Sequence, residues 1–276
     1  MSPHPFPTLP AESFNDIAAT RYGPMLFNRH DQYIGPSLRQ YGEYSQGEVD
    51  LFAKLIGPGA VVVEGGSNIG AHTVALSRLV GPTGTVVAFE PQRLTFQTLC
   101  ANLALNSCAN VHAFQAGLGS VTAEIVAMQL APDKPQNFGG IPIIADGRGE
   151  RTPIRALDDL AFAACRLIKL DIEGMEVQAL EGAAQTIKTH RPFLYVENDR
   201  KASSDALISL ILRWDYRLYA HVTPLFSPSN HAGFTEDLFG NIASFNAFCA
   251  PREHGLEVTD APEITSPDMW TWPLMG

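Results

Sequence analysis

The sequence lacks the marks of a disulfide-stapled, metal-clustered or membrane-spanning protein. Its four cysteines, Cys100, Cys108, Cys165 and Cys249, lie far apart, and there is no CxxC pair and no Cys/His group at zinc-ligand spacing. They read as free thiols of a reducing compartment. No apolar run approaches the roughly 20 residues of a bilayer span. The opening MSPHPFPTLPAESF lacks the basic and apolar regions of a secretory leader. The expected location is therefore cytoplasmic, with no membrane partner. Positive charge is also scarce: 19 Lys and Arg stand against 29 Asp and Glu, a formal net charge of −10. Such a balance disfavours a general attraction to phosphate backbones. A small-molecule substrate is expected rather than nucleic acid, and a homodimer is compatible with the chain.

What is present suits one large globular domain, since 45% of the 276 residues are hydrophobic and 17% charged. Residues 1–47, rich in Pro, Tyr and Gly, read as a loosely structured cap. Residues 48–250 read as the main domain, and 251–276 as a tail outside the sheet. Val49, Phe52, Leu55 and Ile56 recur at helical spacing, Gly57-Pro58-Gly59 stops that helix, and Ala60-Val61-Val62-Val63 follows as a buried strand. Helices are expected over 71–79, 94–105, 175–188 and 204–213, and strands over 85–89, 110–115, 166–170, 193–196 and 216–220. The last strand is expected over 242–249. This alternation implies a mostly parallel α/β sheet with helices on both faces, binding its ligand beyond the carboxyl ends of the strands. Residues from about 120 to 157 break the rhythm with Gly- and Pro-rich sequence and read as a lid-like insertion on the substrate side.

The first strand runs into Glu64-Gly65-Gly66-Ser67-Asn68-Ile69-Gly70. Glycines there let the backbone pass close to a ligand, and the following helix start offers free N–H donors. A dinucleotide fingerprint would need glycine where Ser67 stands. Glu64 would face a pyrophosphate unfavourably, yet it can pair with the amino group of a methionine moiety. S-adenosylmethionine therefore fits better than NAD. Glu90, 20 residues beyond Gly70 at the tip of the second strand, is placed to accept the hydrogen bonds of a ribose diol, with Pro91, Gln92 and Gln115 close to it. Read alone, Glu64 is equally a solvated strand-end acid, and Glu90 a helix N-terminal charge. Tyr41, Glu43 and Glu48 are placed to cap the methionine end, and His72 reads as a structural residue of the helix start.

VVVEGGSNIGAHTVALSRLVGPTGTVVAFEPQ resembles the first motifs of the FkbM-type S-adenosylmethionine-dependent methyltransferases. LIKLDIEGMEVQALEGA and HRPFLYVEND resemble that family's second block. The family usually has Asp, a small apolar residue and then Gly-Ala-Asn in the first motif; here Glu64 and Ser67 stand at the variable places. The resemblance implies a Rossmann-like class I methyltransferase fold with an antiparallel last strand. It also implies O-methylation of a sugar or another small polar metabolite. Through the Asp-x-Glu-Gly motif, it places Asp171 and Glu173 beside donor and acceptor.

Methyl transfer to a hydroxyl needs a group that takes its proton. Candidates are His221, Asp171 and Glu197, although His221 reads equally as a satisfied loop histidine. Asn198 and Asp199 share the rim with Glu197. Asn137, Phe138 and Asn241 combine amide and aromatic groups with neighbouring glycines, a composition suited to a polyhydroxylated ligand and equally to ordinary turns. The acids of the rim have the chemistry to hold Mg²⁺, but nothing in the spacing fixes an octahedral site, and no metal is expected. An N-methyltransferase, an NAD-dependent oxidoreductase and a non-catalytic cofactor-binding protein are the competing readings.

Overall fold

The computed structural model describes residues 9–140 and 149–269. The chain opens with a hairpin of β1 (Asn15–Thr20) and β2 (Gly23–Asn28), followed by α1 (Ile34–Gln40). Residues 15–40 of the segment read as a loose cap are therefore ordered. Met25, Phe27, Ile34 and Leu38 bury against Val74 and Leu99, which packs this segment onto the rest of the chain. The sequence hides this because β1, NDIAAT, and β2, GPMLFN, show little alternation.

The main unit then alternates as expected. In order it runs α2 (Gln46–Leu55), β3 (Val61–Gly65), α3 (Ala71–Val80), β4 (Thr85–Phe89), α4 (Arg93–Leu105) and β5 (Val111–Phe114). Three short strands follow, β6 (Gly117–Leu118), β7 (Ala123–Ala127) and β8 (Glu150–Arg155), and pair into a small separate sheet. Two strands of this small sheet, β7 and β8, lie in the segment read as a lid; residues 141–148 of that segment lie outside the described residues. Next come β9 (Leu167–Leu170), α5 (Glu176–Glu181), α6 (Ala184–His190), β10 (Phe193–Glu197) and α7 (Lys201–Arg213). The chain closes with β11 (Tyr216–Pro224), β12 (Ala243–Pro251) and the two-residue β13 (Glu263–Ile264).

The helix expected over 175–188 is two helices, because Gly182 lies against the backbone of Gly119. A Cβ on Gly182 would stand 2.0 Å from the Gly119 carbonyl oxygen. The Gly182 carbonyl also turns out to accept from Asp158 N–H at 2.8 Å. The segment after 250 is not wholly peripheral either, since β13 adds an edge to the main sheet through Leu218 and Tyr219.

The main sheet has the order β13-β11-β12-β10-β9-β3-β4-β5. Strands β10, β9, β3, β4 and β5 are mutually parallel, and β12 is antiparallel to β10 and β11. This is the Rossmann-like arrangement with a reversed late strand. β3 and β9 sit at the centre, buried on both faces, as their apolar runs require. One large cluster, including Ile168, Leu170, Leu194 and Ile208, fills one face. A second, including Phe52, Val62, Leu76 and Tyr195, fills the other. The rigid centre carries the tips of β3, β4, β9 and β10 to one edge, where the functional side chains emerge.

Candidate active site

At that edge the strands open into a cleft of about 390 Å³. Its floor begins with the turn after β3. Gly66 and Ser67 donate their N–H groups to the Phe89 carbonyl, each at 3.0 Å, and Asp171 N–H donates to the Gly65 carbonyl at 3.1 Å. The turn is thus tied to β4 and β9 at once. Gly66 has φ +75°, and a Cβ there would meet the Asp171 carbonyl oxygen at 1.7 Å, so only glycine fits.

Several residues expected at the cofactor line this cleft: Glu64, Gly66, Ser67 and Asn68 from the turn, with Glu90, Pro91 and Gln92 from the end of β4. Asp171, Glu173, Glu197 and Asp199 line its mouth, and Asn137 and Phe138 close it from the inserted segment. The remaining candidates fall elsewhere. Gly65 and Gly70 pack inside, against Leu118 and Leu99 respectively. Gln115 follows the edge strand β5, Asn198 continues β10 by donating N–H to the Phe245 carbonyl, and Asn241 lies exposed in a turn held by Asp237. His221 is bonded through Nδ1 to the Tyr195 hydroxyl at 2.9 Å and is not among the lining residues. Its place on β11, two strands out from β10, removes it from the mouth.

Tyr41 and Glu43 also serve another purpose than the one read from the sequence. The Tyr41 hydroxyl accepts Leu238 N–H at 2.9 Å, while Glu43 pairs with Arg21 and accepts His231 N–H. Together they anchor the loop between β11 and β12. Glu48 is buried 3.9 Å from His72 Nδ1 and is not among the residues that line the cleft.

Burial governs the electrostatics. It pushes Glu90 up to about 7, against two backbone N–H donors, Asn68 at 2.9 Å and Gln92 at 2.8 Å. Burial raises Glu48 to about 8, opposed by Lys169. Glu173 rises to about 7 through burial and the charge of Asp171, although Arg200 pairs with it. Glu197 is raised by burial and then by Asp171 and Glu173. His72 falls to about 3 because burial and Lys169 both oppose its cation. Lys169 goes the other way: burial would lower it, but Asp171, Glu64 and Glu48 together raise it.

Lys169 and Arg200 are the charged cleft residues that the sequence reading missed. A lysine inside the apolar run Leu167-Ile168-Lys169-Leu170, two residues before Asp171 and so on its face of the strand, was the available signal. The lining residues Tyr44, Ser244 and Asn246 depend on distant packing and carried none.

The buried carboxylates make stability depend on pH. A native carboxyl titrating at about 8 instead of the usual 4.5 holds a proton that the unfolded chain releases. Stability from this source is complete at low pH and falls as pH rises through the native value. His72 works in the opposite sense, but its contribution is complete above 6.5. Between pH 6.5 and 8 only the carboxylates act, and Glu48 alone should cost on the order of 2 kcal/mol. Glu48→Gln should flatten the decline of melting temperature over that interval; a slope equal to wild type would contradict the assignment.

A glycine-lined turn between two acidic strand tips, at the carboxyl edge of a parallel sheet, defines a nucleotide-type cofactor cleft of the class I methyltransferase kind. The methyltransferase FkbM domain profile matches residues 64–218, more than half of the chain, and the protein belongs to that family. A Methyltransferase 1 of Beauveria bassiana (strain ARSEF 2860) is 28% identical over 144 residues, 44% of this chain and 57% of the relative. Among solved structures the chain is similar to the methyltransferase FkbM of Methylobacillus flagellatus KT, with TM-score 0.45, 21% identity, and coverage of 73% of this chain and 50% of that one. It is also similar to a precorrin-6y C5,15-methyltransferase of Geobacter metallireducens GS-15, with TM-score 0.48, 13% identity, and coverage of 74% and 86%. The chain thus spans little more than half the length of the first of these relatives and half the length of the second.

S-adenosylmethionine is the cofactor that goes with this family, and the residues present fit it. Glu64 Oε1 and Gln92 Nε2 are shut off from solvent without a hydrogen-bond partner among the described residues. Both residues line the cleft, and a buried polar atom without a partner is costly unless a ligand satisfies it. Glu64 suits the amino group of the methionine moiety, and Gln92 beside Glu90 suits the nucleoside end. No helix among the described residues is long and apolar enough to cross a membrane.

Proposed function

We propose that the protein methylates a hydroxyl of a sugar or another small polar metabolite. The observation that carries this reading is the pairing of a fitted donor cleft with an acidic mouth in which Glu197 Oε2 is buried without a hydrogen-bond partner among the described residues. When bound, S-adenosylmethionine supplies a methyl group on a sulfonium, ready for attack by an acceptor lone pair. The protein's own contribution is to hold the acceptor in line and take its proton.

Glu197 suits the proton transfer, since it lines the cleft beside Asp171, and burial and its acidic neighbours hold its carboxyl well above the usual range. Asp171 faces the same space from the adjacent strand tip and orients donor or acceptor. Ser244, Asn246 and Asn137 offer hydroxyl and amide groups, and Tyr33 and Phe138 offer aromatic surface, a lining suited to a polyhydroxylated ring. The acidic lining and the net charge of −10 argue for a small acceptor over nucleic acid.

Incubation with methyl-labelled donor and a panel of sugars and hydroxylated metabolites tests this reading. Label should move onto a hydroxyl oxygen. Transfer only to amines, or only to RNA, would overturn it. Glu90→Ala should weaken S-adenosylhomocysteine binding by about 1.5–3 kcal/mol, the range of a charge-assisted hydrogen bond. Unchanged affinity in calorimetry would remove Glu90 from the nucleoside end.

A further inference from the structure

We propose that Lys169 is the counter-ion of the donor's α-carboxylate, so that Glu64 and Lys169 together read the two ends of an amino-acid zwitterion. The inference rests on the methyl-donor reading of the cleft given above. It begins with the sheet register. Glu64 on β3 stands directly beside Lys169 on β9, and the strands are parallel neighbours. Adjacent strands lie about 4.8 Å apart. The ammonium and the carboxylate of an α-amino acid hang from one carbon, so a small zwitterion can meet two oppositely charged side chains carried on neighbouring strands. Both side chains line the cleft.

The second observation is cost. Lys169 is 1% exposed at the centre of the sheet, where an apolar residue would complete the strand LIKL without a charge to satisfy. Among the described residues its ammonium makes one hydrogen bond, to Asp171 Oδ2 at 3.4 Å. An ammonium has three hydrogens to donate, so two remain for a ligand. Glu64 is left incomplete in the complementary sense. Its Oε2 accepts from the Thr73 hydroxyl at 2.6 Å, while Oε1 is buried and unpartnered. Asp171 and Glu64 are the main charges that keep Lys169 protonated, and His72 beside them is neutral. The cation available at this end of the cleft is therefore Lys169; Arg200 is engaged at the other end by Glu173 and Asp199.

If Lys169 served only to hold Asp171, removing the ligand's carboxylate would leave its affinity unaltered by the residue at 169. Calorimetry should compare S-adenosylhomocysteine with its decarboxylated counterpart, which keeps the amine, on wild type, Lys169→Met and Lys169→Arg. Wild type should prefer the carboxylate-bearing ligand by about ten- to hundredfold. Lys169→Arg should keep a preference. Lys169→Met should lose it, through weaker binding of S-adenosylhomocysteine with the decarboxylated ligand little changed. Where Lys169→Met does not fold, Lys169→Gln carries the same comparison. Equal binding of both ligands by wild type, or a preference retained in the uncharged variant, would overturn the proposal. Binding of neither ligand by wild type would overturn the methyl-donor reading itself, a result distinct from either of these.

Discussion

Gly66→Ala should abolish binding of S-adenosylhomocysteine and lower the melting temperature by several degrees. The added Cβ would meet a backbone oxygen, that of Asp171, at 1.7 Å, and the residue would keep a left-handed φ of +75°. Backbone cannot swing aside as a side-chain tip can. Either the turn lifts off β9, breaking the bond from Asp171 N–H to the Gly65 carbonyl, or β9 moves and takes Asp171 with it. Overpacking combined with this strain should cost on the order of 3 kcal/mol or more. Gly57→Ala is the matched control, because a Cβ there meets nothing within 4 Å. Thermal melts with and without ligand check both variants. A Gly66→Ala protein that melts and binds like wild type would mean that the turn is not the tight cradle described.

Asp171→Asn should reduce methyl transfer at saturating donor by about a hundredfold or more, within the range for loss of a positioned acid or base. Asparagine keeps the shape and still accepts a hydrogen bond from Lys169, so the fold should survive. The loss of melting temperature should be small but measurable, because Lys169 is buried and loses one of the carboxylates facing it. If Asp171 were merely a helix-start acid, asparagine would serve as well and the rate would stay at the wild-type level. Label transfer and melting should be read on the same preparation of the variant.

The central sheet was legible because β3, β4, β9 and β10 are short apolar runs between helical periodicities, a signal that depends on local sequence alone. The turn at 64–70 was legible for the same reason, as its chemistry lies in consecutive residues. The hairpin at 15–28 was not, since its burial comes from contacts with α4 and α3, distant in sequence. His221 was misread as a mouth residue because a strand end near position 220 carries no sign of which neighbours the strand will have. The insertion of β12 between β10 and β11 carries it away from the mouth. The same insertion places Asn246 opposite Glu197, a pairing that only the antiparallel register creates. Lys169 was hidden by the apolar residues around it, and its meaning appears only when the register sets it beside Glu64.

The most direct test of the claim that this cleft binds a methyl donor is a calorimetric titration of the wild-type protein with S-adenosylhomocysteine, with NADH as the comparison. One site per chain should fill with S-adenosylhomocysteine, and NADH should give no saturable heat. No saturable heat with S-adenosylhomocysteine at millimolar concentration, or tighter binding of NADH, would contradict the claim.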